Sequence, residues 1–136
     1  MNPVFVREAV AADGNDIERL EKLSKAESVE HRGEVLDRPI GDERRSFVAG
    51  VGDSVFGALV ASCTGAGTWT IHMVHVEQSA RGIGIGDALL SRVIPELQRA
   101  GARSIESGAQ PGDRALKNLF ERHGLVARTI ILGRDL

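Results

Sequence analysis

The sequence contains no tyrosine, one cysteine and one tryptophan, and aromatic residues make up only 4% of it. A lone Cys63 excludes an intrachain disulfide and suits a reducing compartment. It reads as a small buried hydrophobe near the end of a strand rather than as a nucleophile. Nor is there an excess of positive charge: 17 basic residues face 19 acidic ones, for a net charge of −2. That balance supplies no broad basic field and argues against nucleic acid as a partner. Uninterrupted apolar runs are only a few residues long, far short of a membrane span. Met1-Asn2-Pro3-Val4 lacks a basic stretch followed by an apolar one, so no signal peptide is expected and the location expected is cytoplasmic. Without tyrosine, no phenol can donate a proton anywhere in the chain.

What remains is ordinary globular material. The chain has 136 residues, 42% hydrophobic and 26% charged, enough for one domain over 1–136. Val4–Val10 reads as a strand, and Asp13 as the cap of a helix to about Ala26, with Ile17, Leu20 and Leu23 on one face. Ser28–Asp42 reads as a short second helix followed by a loop. Ser46–Val51 and Val55–Ser62 form a hairpin around Gly52-Asp53, and Thr68–Val76 is a long strand beyond Gly65-Ala66-Gly67. A helix from about Gly86 to Ala100 carries Leu89, Leu90, Val93, Ile94 and Leu97 on one face, with Pro95 inside it as a kink. Arg103–Ala109 is a strand, Asp113 caps a helix ending near His123 and Gly124, and Leu125–Leu132 is a final strand. This order describes an α+β domain with a mixed sheet.

Between Val76 and the helix lies Arg81-Gly82-Ile83-Gly84-Ile85-Gly86. Glycines let backbone N–H groups approach an anion, and the first turn of a helix leaves its N–H groups unpaired at the positive end of the dipole. Such a string alone is also plain turn chemistry. A Walker loop is excluded, because no Gly-Lys-Ser/Thr follows. A dinucleotide fingerprint would want a third glycine near Ala88 and the first strand ahead of it, although Glu106 lies near the distance of a ribose-binding acid. Here a hairpin-rich half of the chain comes first, and that reading is the weaker one.

The run from Val74 through Leu90 resembles the pyrophosphate motif of the GNAT superfamily of N-acetyltransferases: Arg or Gln, two residues, Gly, one residue, Gly or Ala, then an apolar helix. Arg81, Gly84 and Gly86 fill it, and Val76 stands five residues ahead. A second landmark, an Asn-started helix closing with Tyr and then Gly-Phe, is present in altered form as Asp113, Phe120, Gly124 and Leu125. The resemblance implies a mostly antiparallel, mixed sheet of six to seven strands flanked by helices and splayed between the fourth and fifth. It implies acetyl-CoA as cosubstrate. Backbone groups of Val74, His75 and Val76 would meet the pantetheine arm. N–H groups of Gly82, Ile83, Gly84, Ile85, Gly86 and Asp87 would hold the pyrophosphate. Arg81 either adds charge or points to solvent.

In this family the amine attacks the thioester directly, so a proton acceptor and a proton donor are wanted. Family members often keep a His or Glu nine or eleven residues before the motif's Arg or Gln; nine back from Arg81 is His72 and eleven is Thr70. Strand alternation puts His72 on one face with Thr70, Val74 and Val76, and His75 on the other. His72 is the candidate base, against the plainer reading of an ordinary strand histidine. His75 reads as structural, His123 as a charge at a helix C-terminus, and His31 is uninformative. The family's acid, a tyrosine, is replaced by Phe120; water, or a group such as Ser107, would then protonate the thiolate. Glu27, Glu30, Glu34 and Asp37 form either an acidic rim for a cationic amine or a solvated helix face. The expected activity is acetyl transfer to a primary amine of a small molecule or peptide, with room for a homodimer. The alternative is a catalytically weak acyl-CoA-binding sensor or partner module.

Overall fold

The structure is a computed structural model and describes residues 3–34 and 38–136. The elements are β1 (Val4–Glu8), α1 (Gly14–Ser28), β2 (Glu43–Val51), β3 (Ser54–Gly65), β4 (Thr68–Val76), α2 (Ile85–Arg99), β5 (Ser104–Ser107) and α3 (Arg114–Arg122). They make one sheet of five strands in the order β1-β2-β3-β4-β5. The first four pair antiparallel, and β5 joins β4 in parallel. The fold is therefore α+β with a mixed sheet flanked by helices, as expected, but with five strands instead of six to seven.

Two expected elements are not formed. Leu125–Leu132 has strand composition but no strand conformation, and Val126, Ile130, Ile131 and Leu132 stand exposed. β-branched composition needs an edge to pair with. The two edge strands are both short, β1 with five residues and β5 with four that are mostly polar. Among the described residues of 28–42 there is no second helix: 29–33 are turns and bends, and 34 and 38–42 have no helix or strand. Val35–Asp37 lie outside the described residues.

The sheet buries both faces. On one, Leu89, Leu90, Val93 and Leu97 of α2 and Leu119 and Phe120 of α3 pack on Phe47, Ala49, Leu59, Ala61, Trp69 and Ile71. On the other, Leu20 of α1 packs on Val48, Val55 and Ala58. Pro95 lies within α2, which runs unbroken from Ile85 to Arg99 with Pro95 on its exposed side. Asp13 ends in a different role from the one its position suggests. Its carboxylate accepts from the Val10 N–H (2.8 Å) and from Arg7 (2.7 and 3.0 Å) instead of capping α1. Asp113 does cap α3, accepting the Leu116 N–H at 3.1 Å. No helix among the described residues is long and apolar enough to cross a membrane.

The feature that shapes the site is a bulge in β4. Val60 pairs with Met73 and the next residue, Ala61, pairs with Ile71, so His72 has no partner across the ladder. An extra residue reverses the alternation of everything beyond it. Trp69 and Ile71 accordingly share the α2 face with Val74 and Val76, while Met73 faces α1. His72 lies with Ser62 and Thr70 on the face opposite Val74 and Val76, which corrects the grouping that strict alternation gives.

Candidate active site

Pairing between β4 and β5 stops at Ile71 and Ser107, one residue before the bulge. Ser107 Oγ closes this vertex by donating to the Ile71 carbonyl (3.2 Å). Beyond it β4 runs on to Val76 while β5 has ended, which leaves an unpaired edge, a fork in the sheet. The Glu77 N–H donates to the Phe56 carbonyl (2.7 Å), and Glu77 continues the register that pairs Val76 with Gly57. In an antiparallel ladder such bonded pairs alternate with unbonded ones. The main-chain groups of His75 therefore serve β3, while those of Val74 and Val76 are turned into the fork. One of them is taken: the Val76 carbonyl accepts from Arg81 Nε at 3.0 Å.

The fork runs directly into the glycine segment. Gly82 and Gly84 have φ of +87° and +90°, a region that L side chains rarely adopt, and a Cβ at either would meet nothing within 4 Å. Gly84 is the N-cap of α2, and the first N–H to find a helical acceptor is that of Ala88, on the Gly84 carbonyl (2.9 Å). The N–H groups ahead of it stand at the positive end of a fifteen-residue helix. This is a cradle that fits a pyrophosphate.

Two charged residues of the segment are engaged elsewhere. Arg81 forms a bidentate pair with Glu27 on α1, 2.8 Å for its first contact, in addition to its bond to Val76. The Arg81 guanidinium holds the Glu27 carboxyl below the usual range. The Asp87 carboxylate turns to α3, against Arg122 (3.2 Å) and His123 Nε2 (2.8 Å), and Arg122 and then His123 lower its pKa. His123 thus ties two helices together in addition to closing α3.

A continuous groove joins this cradle to His72. Its walls include Glu21, His31, Glu34, Arg38, Arg44, Thr70, Glu106, Ser107 and Phe120. His72 Nε2 lies 2.6 Å from Ser62 Oγ, which also accepts the Gly41 N–H at 2.9 Å. Burial first, and then Arg44 and Arg38, push the His72 pKa below its ordinary value, which favours the neutral ring. Both arginines are themselves paired, Arg38 with Glu106 (2.7 Å) and Arg44 with Glu21 (3.5 Å). His75 sits apart from the fork, buried beneath α1; burial lowers its pKa, with Glu27 opposing. Phe120 is buried in the core and offers no proton, which leaves Ser107 as a hydroxyl at the fork itself. Of the expected acidic rim, Glu27 is spent on Arg81, Glu34 lines the groove, and Asp37 lies outside the described residues. Sequence reasoning missed Ser62, which reaches His72 through the bulged register of β3 and β4, and Gly41, which approaches Ser62 from the segment ahead of β2.

Residues 14–125 match the acetyltransferase (GNAT) family. No curated protein matches the chain. Among solved structures, an aminoglycoside acetyltransferase from an uncultured soil metagenomic sample, in complex with sisomicin, is 14% identical with a TM-score of 0.72, over 98% of this chain and 95% of that one. The aminoglycoside N-acetyltransferase AAC(6')-Iy in complex with CoA is 17% identical with a TM-score of 0.73, over 99% and 96%. A transcriptional regulator from Bacillus halodurans is 20% identical with a TM-score of 0.71, over 98% and 100%. At these identities the likeness is one of fold.

Proposed function

The chain belongs to the acetyltransferase (GNAT) family, and from that premise we propose that it transfers an acetyl group from acetyl-CoA directly to a primary amine of a small molecule or peptide. The observation that carries this reading is the open N-terminus of α2 at the end of a forked strand. Unpaired N–H groups from Gly82 to Asp87 suit a pyrophosphate, and main-chain groups of Val74 and Val76 suit an extended, amide-bearing arm laid along the strand. Arg81 serves by clamping the glycine segment to α1. The acetyl group would then lie near the vertex, where His72 and Ser107 stand.

The transfer itself requires a neutral amine. The ammonium gives up a proton, the amine nitrogen bonds to the thioester carbonyl carbon, the carbon–sulfur bond breaks, and the departing thiolate takes up a proton. His72 is the side chain proposed to act on the reacting groups, and Ser107 or water to protonate the sulfur. The solved neighbours named for aminoglycosides act on amine-rich molecules, and Glu34 on the groove wall would steer such cations here. A second reading, a weakly catalytic acyl-CoA-binding module, is favoured by one observation: Phe120 supplies no proton where a hydroxyl is wanted. A transfer and hydrolysis screen with acetyl-CoA over amines, amino acids, polyamines and peptides separates the two, since the module would bind acetyl-CoA but turn over slowly with every acceptor.

The cosubstrate site is tested at Gly84. Any side chain there is strained by the φ of +90°, so Gly84→Ala provides the reference. Gly84→Glu adds a negative charge in the cradle and should weaken acetyl-CoA binding at least about tenfold beyond Gly84→Ala by calorimetry. Equal affinity of the two folded variants would reject the site.

A further inference from the structure

Ser62 is completely buried in the middle of β3, and its hydroxyl touches two groups. The Gly41 N–H is a fixed donor and claims one lone pair of Oγ. Gly41 can come this close only because it lacks a side chain: a Cβ there would lie 1.6 Å from the Cys63 carbonyl oxygen. The hydroxyl keeps one proton and one lone pair for its other neighbour, Nε2 of His72 at 2.6 Å.

Only two arrangements exist. In one, Nε2–H donates to Ser62 Oγ, and the hydroxyl's own proton must find another acceptor. Among the described residues Oγ has no further partner, and Ser62 has no exposure through which water could supply one. That arrangement strands a buried donor. In the other, Ser62 O–H donates to an unprotonated Nε2, and every donor and acceptor is used. We propose that Ser62 is a positioning residue that fixes His72 as its Nδ1–H tautomer, so that the ring meets the groove with a hydrogen-bond donor and not with a free lone pair.

The consequence reverses the role that the position of His72 suggests. With Nε2 held by Ser62, the polar atom left to the groove is Nδ1–H. It suits an oxygen that gains negative charge, such as the thioester carbonyl during attack. The proton of the ammonium then passes to water or to a groove carboxylate such as Glu34. The tautomer follows from the hydrogen bonds alone; its catalytic meaning rests on the acetyltransferase reading.

Long-range proton–nitrogen correlation spectra of the 15N-labelled protein, taken above the histidine titration, read the tautomer directly. His72 is assigned by the signal lost in His72→Ala. The expected result is a proton on Nδ1 and a bare Nε2, with Ser62→Ala shifting the proton to Nε2. A wild-type ring protonated on Nε2 overturns the proposal, and so does an unchanged tautomer in folded Ser62→Ala. If that variant does not fold, the wild-type spectrum decides alone. For an amine that the wild type acetylates, Ser62→Ala should lower kcat about tenfold or more with little change in the KM for acetyl-CoA, part of the hundredfold or more that such groups supply. A wild type that acetylates nothing sinks the acetyltransferase reading and leaves the spectra to judge Ser62.

Discussion

His72 owes its place to being surplus. As the unpaired residue of a bulge it turns toward Ser62 and stands where β5 stops pairing. Removing the imidazole should lower kcat/KM by about a hundredfold or more, as expected of a group acting on the reacting atoms. Acetyl-CoA affinity, measured by calorimetry on His72→Ala, should barely move. Asparagine separates donor from base, because its amide N–H lies near where Nδ1 was and it cannot accept a proton. His72→Asn should therefore retain clearly more activity than His72→Ala; equal losses would restore the histidine as a base. The count back from Arg81 reached this residue from sequence. Its partner was not legible, because a bulge is a mismatch between two strands and leaves no mark in either one read alone.

At the scale of elements, the helices and the antiparallel strands follow from periodicity and turn residues, while the ends of the chain's logic do not. Leu125–Leu132 has the residues of a strand and no edge long enough to use them, a fact that resides in β1 and β5. Arg81 shows the same division. Its motif position was legible, but its grip on Glu27 depends on where α1 ends. That grip makes a prediction with a sign. If Glu27 mattered only as a negative charge near a pyrophosphate, Glu27→Ala would tighten acetyl-CoA binding. Because it anchors the clamp on the glycine segment, the variant should bind more weakly, by up to about fivefold, the scale of a partly exposed ion pair of about 1 kcal/mol. Calorimetry at low salt reads the direction.

Over the whole molecule, the response to acid should come in two stages. His72 and His75 both have pKa values lowered from 6.5, chiefly by burial. The unfolded chain therefore takes up protons first, so their contribution to stability is intact above that value and is lost as pH falls through their folded values. The lowered carboxylates of Glu8, Asp13, Glu27 and Asp87 give way only later, below their ordinary values of 4.5 or 3.8. Urea midpoints should begin to fall as the pH drops through about 6.5, the ordinary histidine value, and continue to fall below it. His75→Gln should flatten that fall while leaving the steeper loss at lower pH. An unchanged slope would place the early protons elsewhere.

The fork has a further consequence, for how much sequence such a site needs. What β4 offers the groove at Val74 and Val76 is the peptide unit, which nearly every residue carries, while their side chains point into the core and answer only to packing. The cradle likewise asks mainly for a backbone of positive φ at Gly82 and Gly84. A site written in main chain occupies few letters. On the proposed reading, side chains that border the groove, such as Glu34, could be rewritten for a different acceptor without touching the main-chain groups of the cradle.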